Sequence, residues 1–403
     1  MSSKEMENRG PLNGIRVIDL TRILAGPFCT MNLGDMGAEV IKIEEPRSGD
    51  DTRSWGPPFA GEQAAYFLAI NRNKKSVTLN LKDTRAKNIL GDLLRGADVM
   101  IENFKSGTLE RWGFSGEWFE AEAPQLIRCS ITGYGDKGPK AGMLGYDFLL
   151  QAESGLMSVT GEEVGGPQKL GVAIVDVCTG QYAAMCVLAA LNARAISGKG
   201  QRVDLSLFNT SLSMLINVAS NYLVDGVVPG RYGNGHPNIV PYRDYRCSAG
   251  KIAIAVGNDT QFKKLALVLG HSEWAEDSRF RTNADRVNHR EECDSAIDNA
   301  LSSQTVDQWI KLFQREGIPS GKINTVEEAL ESEQAKANNM VLEMEHLTSG
   351  VIRTLGIPYT FSGTPAGVQM PPPVLGGHTK EILAGLIDLS DKEIEQLVSD
   401  GVV

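Results

Sequence analysis

One aspartate stands where two unlike segments of the chain meet. Asp176 follows an extended run, Lys169-Leu-Gly-Val-Ala-Ile-Val175, and opens a long apolar stretch, Asp176-Val-Cys-Thr-Gly-Gln-Tyr-Ala-Ala-Met-Cys-Val-Leu-Ala-Ala. That stretch predicts a helix. Its first turn offers unpaired N–H groups and the positive end of the macrodipole, which keep a carboxylate charged. An ionised carboxylate beside a pocket can act as a nucleophile, dividing a hard acyl transfer into easier steps. The same position also suits a plain N-cap, for which aspartate is a favoured residue. Taken alone, the spacing favours the cap; the surrounding segments turn the balance.

Other chemistry finds less support. Cys29, Cys129, Cys178, Cys186, Cys247 and Cys293 show neither CxxC pairing nor zinc-ligand spacing. They read as reduced, mostly buried thiols of an intracellular protein. His236, His271, His289, His346 and His378 are dispersed, so no metal site is expected. After the first predicted strand the chain reads Thr21-Arg-Ile-Leu-Ala-Gly-Pro27, one glycine where a dinucleotide fingerprint needs three, and no Walker A sequence appears. Nicotinamide, flavin and ATP chemistry lose most of their support.

Composition sets further bounds. At 403 residues, with 42% hydrophobic and 22% charged content, the chain reads as a globular protein of two or three domains. A net charge of −10 argues against nonspecific binding to nucleic acid or an anionic membrane. No stretch approaches the roughly 18 uninterrupted apolar residues of a membrane span. The first ten residues show no apolar signal region, and their two Glu count against a transit peptide. A cytoplasmic location is expected, or the mitochondrial matrix if a targeting segment is missing from this chain.

The elements that must position Asp176 follow from periodicity. Strands are predicted at 15–20, 39–43, 76–81, 98–101, 126–131 and 201–207, with helices at about 26–35, 84–94 and 208–223. Strands alternating with helices imply a parallel sheet covered on both faces, with ligands gathering at the strands' carboxyl ends. Residues 243–256 alternate around Ser248-Ala-Gly250, a hairpin signal, and helices follow to about 317. A strand-like piece, Pro371-Pro-Pro373 and a last helix close the chain. The division expected is a large α/β domain over 11–225, a small α+β domain over 226–335, and a C-terminal segment, 336–403, returning to the first.

Several segments together resemble the class III CoA-transferase family, which also holds acyl-CoA racemases. They are Ala25-Gly-Pro27, Gly37-Ala-Glu-Val-Ile-Lys-Ile-Glu44, Ser48-Gly-Asp-Asp-Thr-Arg53, Asn71-Arg-Asn-Lys-Lys-Ser76, Glu102-Asn-Phe104, Gly133-Tyr-Gly135, Val175-Asp176, Gly198-Lys-Gly-Gln201 and Leu375-Gly-Gly-His-Thr379. Each is weak alone; their order over nearly the whole chain is specific. The resemblance implies a Rossmann-like parallel sheet completed by the C-terminal segment, a smaller α+β domain and an interlocked homodimer. It also implies that Asp176 attacks an acyl-CoA thioester and carries the acyl group covalently. A CoA thioester and a carboxylic acid are then the substrates, with no prosthetic group. An unperturbed Asp, with a pKa of about 3.9, would be ionised at neutral pH without a base.

By the same resemblance, Leu79 and Lys82 hold the nucleotide end of CoA, and Asn103, Phe104 and Arg111 line its adenine and phosphate region. Arg22, Ile23 and Ala25 form a loop near the thioester. The bland reading of Lys82 and Arg111 is solvated surface charge, and of Phe104 core. Lys74 and Lys75 are further helpers with no sharper warrant. Racemases of the family resemble a Gly-His-Asp pattern where this chain has Gly145-Tyr146-Asp147. Tyrosine, with a pKa near 10, is a poor base at neutral pH, so transferase is favoured over racemase. Tyr146 then orients a substrate or packs; Asp147 bonds near the reacting centre or caps its own helix. A noncatalytic acyl-CoA-binding protein is the remaining alternative.

Formate- and oxalate-directed members have a glutamine where this chain has Leu24, and a glycine run where it reads Tyr232-Gly-Asn-Gly-His-Pro-Asn-Ile-Val-Pro-Tyr242. The likeness is to members that move CoA between dicarboxylic acids, such as succinyl-CoA to glutarate. A second substrate carboxylate needs a cationic or strong donor partner. Arg22, His236 and Tyr242 are the candidates.

Overall fold

The computed structural model describes residues 10–403; the reading of the extreme N-terminus rests largely on residues outside that range. Six strands form one wholly parallel sheet: β1 (Arg16–Asp19), β2 (Glu39–Glu44), β3 (Lys74–Thr78), β4 (Val99–Glu102), β5 (Ile127–Thr132) and β6 (Arg202–Ser206). Their order is β3-β2-β1-β4-β5-β6. The direction of winding reverses between β1 and β4. In sheets of this order the crevice beyond the carboxyl ends of those two strands receives the ligand. Val17, Ile18, Val40, Ile41, Met100 and Ile101 are almost fully buried, as strands covered on both faces require.

The helices that matter here are α1 (Ala25–Asp35), α2 (Thr84–Arg95), α3 (Asp147–Glu153) and α4 (Ile174–Ser197). Asp83 caps α2, whose Ala86, Ile89, Leu90, Leu93 and Leu94 form one buried stripe. A Cβ on Gly180 would lie 2.5 Å from the Ala25 carbonyl oxygen. Glycine therefore lets α4 approach the start of α1 closely. α4 is long and apolar enough to cross a membrane by length and composition alone; much of its apolar surface packs on α1, β5 and β6.

The chain divides into two compact units. The first holds 10–154, 171–214 and 333–403; the second holds 155–170 and 215–332. The sequence division had assigned 155–170 and 215–225 to the large domain. The helix expected to run to about 223 is broken, into Leu207–Ser213 and Ile216–Asp225, and the boundary falls at that break. In the second unit Tyr242–Arg246, Lys251–Ala255 and Ser320–Lys322 form an antiparallel sheet. Its core includes the buried Arg286, which donates to the carbonyls of Val240 and Phe280 and to Asp259.

The C-terminal segment joins the first unit without adding a strand to its sheet. Its two strands, Val341–His346 and Gly350–Leu355, pair only with each other. It seals the edge strand β3 instead. The Ser76 N–H donates to His378 Nδ1 (3.2 Å), the Thr78 N–H to Thr379 Oγ1 (3.0 Å), and the His378 N–H to the Ser76 carbonyl (2.9 Å). Ile382, Leu383, Ile394 and Val402 complete the core around α2.

Candidate active site

Asp176 is the third residue of α4, not its N-cap. The run before it is not a strand, and the helix begins at Ile174 with Ala173 as a cap that offers no side-chain bond. The cap comes from elsewhere. Asp147 Oδ1 accepts from the N–H of Val175 (2.8 Å) and, more weakly, of Asp176 (3.4 Å), while its Oδ2 accepts from Gln151 Nε2 (2.7 Å). Asp147, first residue of α3, thus caps α4 rather than only its own helix.

This arrangement changes the electrostatics expected of Asp176. The helix N–H groups meant to hold it ionised already serve Asp147. Burial, and then the neighbouring Asp147 charge, raise the Asp176 pKa to about 7. Desolvation and a like charge both disfavour the anion, so the carboxylate is only about half ionised at neutral pH. A carboxylate of raised pKa is a stronger base and nucleophile once ionised.

A cavity of about 130 Å³ opens on this carboxylate, its wall including Arg22, Ile23, Ala25, Asn103, Phe104 and Tyr146. A second, of about 300 Å³, includes Leu79, Lys82 and Trp112. Arg22 and Phe104 belong to both walls. A path therefore runs from Lys82, after β3, past the ends of β1 and β4, to Asp176. A third cavity, of about 390 Å³, shares Phe104 but not Asp176. Among the described residues no group of three His, Cys, Asp or Glu converges as metal ligands would.

The loop after β1 is held in an unusual shape. Ile23 has φ +73°, a left-handed conformation that costs a β-branched residue about 1–2 kcal/mol. The Arg22 N–H donates to Asn103 Oδ1 (3.0 Å) and the Arg22 carbonyl accepts from Asn103 Nδ2 (2.8 Å). Asn103 therefore holds this loop by both ends of its amide while it lines the cavity. The Ile23 N–H donates to Asp50 Oδ1 (3.2 Å).

Nine of the thirteen site residues singled out from the sequence fall around this path or beside it: Asp176, Arg22, Ile23, Ala25, Leu79, Lys82, Asn103, Phe104 and Tyr146. Asp147 stands behind Asp176. Arg111 lines neither cavity; its Nη2 donates to Thr108 Oγ1 at 2.7 Å. His236 and Tyr242 belong to the second unit, where their rings lie 5.3 Å apart and the His236 N–H donates to the Tyr242 carbonyl. Lys74 is fully buried against Asp19, the Pro27 carbonyl and Asn71, with burial pushing it down to about 8. Lys75 pairs at the surface with Glu39 and Glu381.

Two residues near the path escaped the sequence reading. Trp112 meets Phe104 edge to face at 5.0 Å, giving the larger cavity an aromatic wall. Tyr66 is pushed up to about 12 by burial and by the charges of Asp176, Asp147 and Asp50, which places its phenol within their field. Trp55 packs edge-on against Tyr66 at 5.2 Å.

The sequence profile of CoA-transferase family III matches residues 12–379. The chain belongs to that family and is an enzyme acting on CoA thioesters. It is 41% identical over 399 residues to the Homo sapiens succinyl-CoA:glutarate CoA-transferase, covering 99% of this chain and 91% of that one. It is 42% identical over 389 residues to the Agrobacterium fabrum succinate–glutarate CoA-transferase, covering 95% and 97%. The crystal structure of a CaiB/BaiF family protein from Brucella suis superposes with a TM-score of 0.82 at 42% identity, covering 94% of this chain and all of that one.

Proposed function

We propose that this enzyme moves CoA from a dicarboxylyl-CoA, such as succinyl-CoA, to a second carboxylic acid, such as glutarate, through covalent intermediates on Asp176. The observation that carries the mechanism is a carboxylate of raised pKa on a cavity, at the end of a path with Lys82 and an aromatic wall at its far side. Relatives matched over 95–99% of this chain bear the names succinyl-CoA:glutarate and succinate–glutarate CoA-transferase, and this chain is assigned the same substrate class.

The steps balance without a redox partner. A carboxylate oxygen of Asp176 attacks the thioester carbon; the C–S bond breaks and CoA leaves as a thiolate. The thiolate attacks the Asp176 side-chain carbon of the mixed anhydride and expels the donor acid. The acceptor carboxylate then attacks that carbon in the aspartyl thioester and expels the CoA thiolate, giving a second anhydride; the thiolate attacks the acceptor's acyl carbon and the Asp176 carboxylate leaves. Asp176 is regenerated. Each tetrahedral centre needs donors for its oxyanion. With the N–H groups of Val175 and Asp176 committed to Asp147, the first turn of α1, which no side chain caps, is the better source. Water must be kept away, because an anhydride hydrolyses.

The same reading makes the protein an interlocked homodimer, in keeping with exposed apolar side chains such as Phe148, Leu149 and Met185. A pKa near 7 would also suit a general base, which favours α-proton exchange as the second reading. Release of α-deuterium from a 2-methylacyl-CoA with no acceptor present would support that reading. The deciding experiment incubates succinyl-CoA with single acids and weighs the thioesters formed. New dicarboxylyl-CoA, with a hydroxylamine-sensitive adduct on Asp176, is expected; unchanged thioesters with every acid would refute transfer.

Asp147→Asn tests the electrostatics separately. Asn keeps an oxygen for the Val175 N–H and removes the charge, so the Asp176 pKa should fall from about 7. The acid limb of the acylation rate should move to lower pH while thermal stability stays close to the parent's. An unmoved limb would mean that Asp147 acts only as a cap.

A further inference from the structure

The run Gly49-Asp-Asp-Thr-Arg53 has so far been given no part in the reaction, yet Asp50 and Asp51 bond to the loop beside Asp176, and Thr52 orients Asp50. Asp50 Oδ1 accepts from the Ile23 N–H at 3.2 Å, and its Oδ2 pairs with Lys42 Nζ at 2.9 Å. Lys42 in turn donates to the Thr21 carbonyl at 2.8 Å. Both charged side chains are wholly buried. One ion pair therefore grips the backbone on either side of Arg22. Thr52 donates its N–H (3.0 Å) and its hydroxyl (2.8 Å) to Asp50 Oδ1. Asp51 pairs with the Arg22 guanidinium at 3.1 Å. Arg53 pairs with Glu44, and Glu44 Oε2 accepts the Asp50 N–H at 2.9 Å.

We propose that the buried Lys42–Asp50 pair is a positioning device for transfer, holding Ile23 in its left-handed conformation so that the 22–25 loop keeps the shape against which the thioester carbonyl is presented to Asp176. The argument is one of geometry. Ile23 would leave φ +73° unless something overrode its own preference. The loop faces both the cavity holding Asp176 and the one holding Lys82, so a relaxed loop would shift the acyl group relative to the nucleophile. A misplacement of about 1 Å can cost about a hundredfold in rate. Burial of an ion pair here is a poor source of stability; fixing a strained loop is a better account of why two charges lie inside.

This rests on Asp176 being acylated, and the experiment separates the two ideas. Asp50→Ala, Ile23→Gly and the double variant are mixed with succinyl-CoA, and the rate of adduct formation on Asp176 is followed by mass, with the KM for succinyl-CoA alongside. Asp50→Ala should slow acylation by between about ten- and a hundredfold with KM changed far less. Glycine tolerates positive φ without cost, so Ile23→Gly placed in Asp50→Ala should recover a large part of the lost rate. A pair needed only for folding would show no such rescue. Unchanged acylation in folded Asp50→Ala, or no recovery in the double variant, overturns the proposal. If Asp50→Ala does not fold, Thr52→Val takes its place, since it removes one of the bonds that orient Asp50; a smaller loss, again relieved by Ile23→Gly, is expected, and no loss overturns the proposal. If the parent itself never gains the adduct, the acyl-aspartate reading is what fails, and the positioning role goes with it.

Discussion

Asp176→Ala is expected to lose CoA transfer by about four orders of magnitude or more, while still folding and still binding CoA. The size of the effect follows from the kind of step lost. Every other group on the path binds, orients or excludes water, and removing one of them leaves the sequence of bonds intact. Without the carboxylate there is nothing to receive the acyl group. Direct attack by a dilute acceptor on the thioester is all that remains. Initial rates with succinyl-CoA and glutarate, read against the intact mass of the protein, check this. Transfer near the parent rate would refute the role given to Asp176. The fold should survive because the N-terminus of α4 is satisfied by Asp147, which the substitution leaves in place.

The second large effect is in pH, and it takes opposite signs for activity and stability. Asp176 is active as the anion, so acylation should fall about tenfold for each pH unit below about 7. For folding, the relevant comparison is with the unfolded chain, whose Asp has a pKa of 3.8. Between about 4 and about 7 the folded state holds a proton that the unfolded state has released, so stability declines as pH rises. The loss is complete above about pH 7. Asp176→Asn, which cannot ionise, should therefore be more stable than the parent at pH 8, by an amount on the order of a few kcal/mol, and melt higher. The difference should vanish near pH 4. Melting curves for the two proteins across that range measure it directly; equal melting at pH 8 would mean that Asp176 is not held against its ionisation.

How much of this could be read in advance depended on how local the cause was. In the large sheet β1, β2 and β4 were legible as apolar runs, the pattern that burial on both faces demands, whereas β5 and β6, half-exposed on one face, were legible by alternation. The placing of Arg22, Ala25, Asn103 and Phe104 together was legible too, once the parallel sheet brought the ends of β1 and β4 side by side. What escaped was set by partners distant in sequence. Nothing near Asp176 says that Asp147 has taken its helix cap, nor that burial and then the Asp147 charge raise its pKa to about 7. Tyr66 was missed for the same reason, since only the tertiary fold brings it within reach of three carboxylates. The alternation of Leu170, Val172 and Ile174 predicts an extended run, yet among the described residues 169–173 joins no strand and Ile174 already opens α4. Arg111 is a position carried over by motif; its side chain bonds to Thr108 and lines neither cavity, a placement that the motif alone does not give.

The sealed flank of β3 has a bearing on how the chain is handled. His378 and Thr379 occupy hydrogen-bonding groups that an outermost strand would otherwise offer to any passing extended segment. A polypeptide cut short ahead of them would keep every reacting group and yet bare a sticky margin. Its first symptom would be clumping in concentrated solution, easily mistaken for a defect in catalysis.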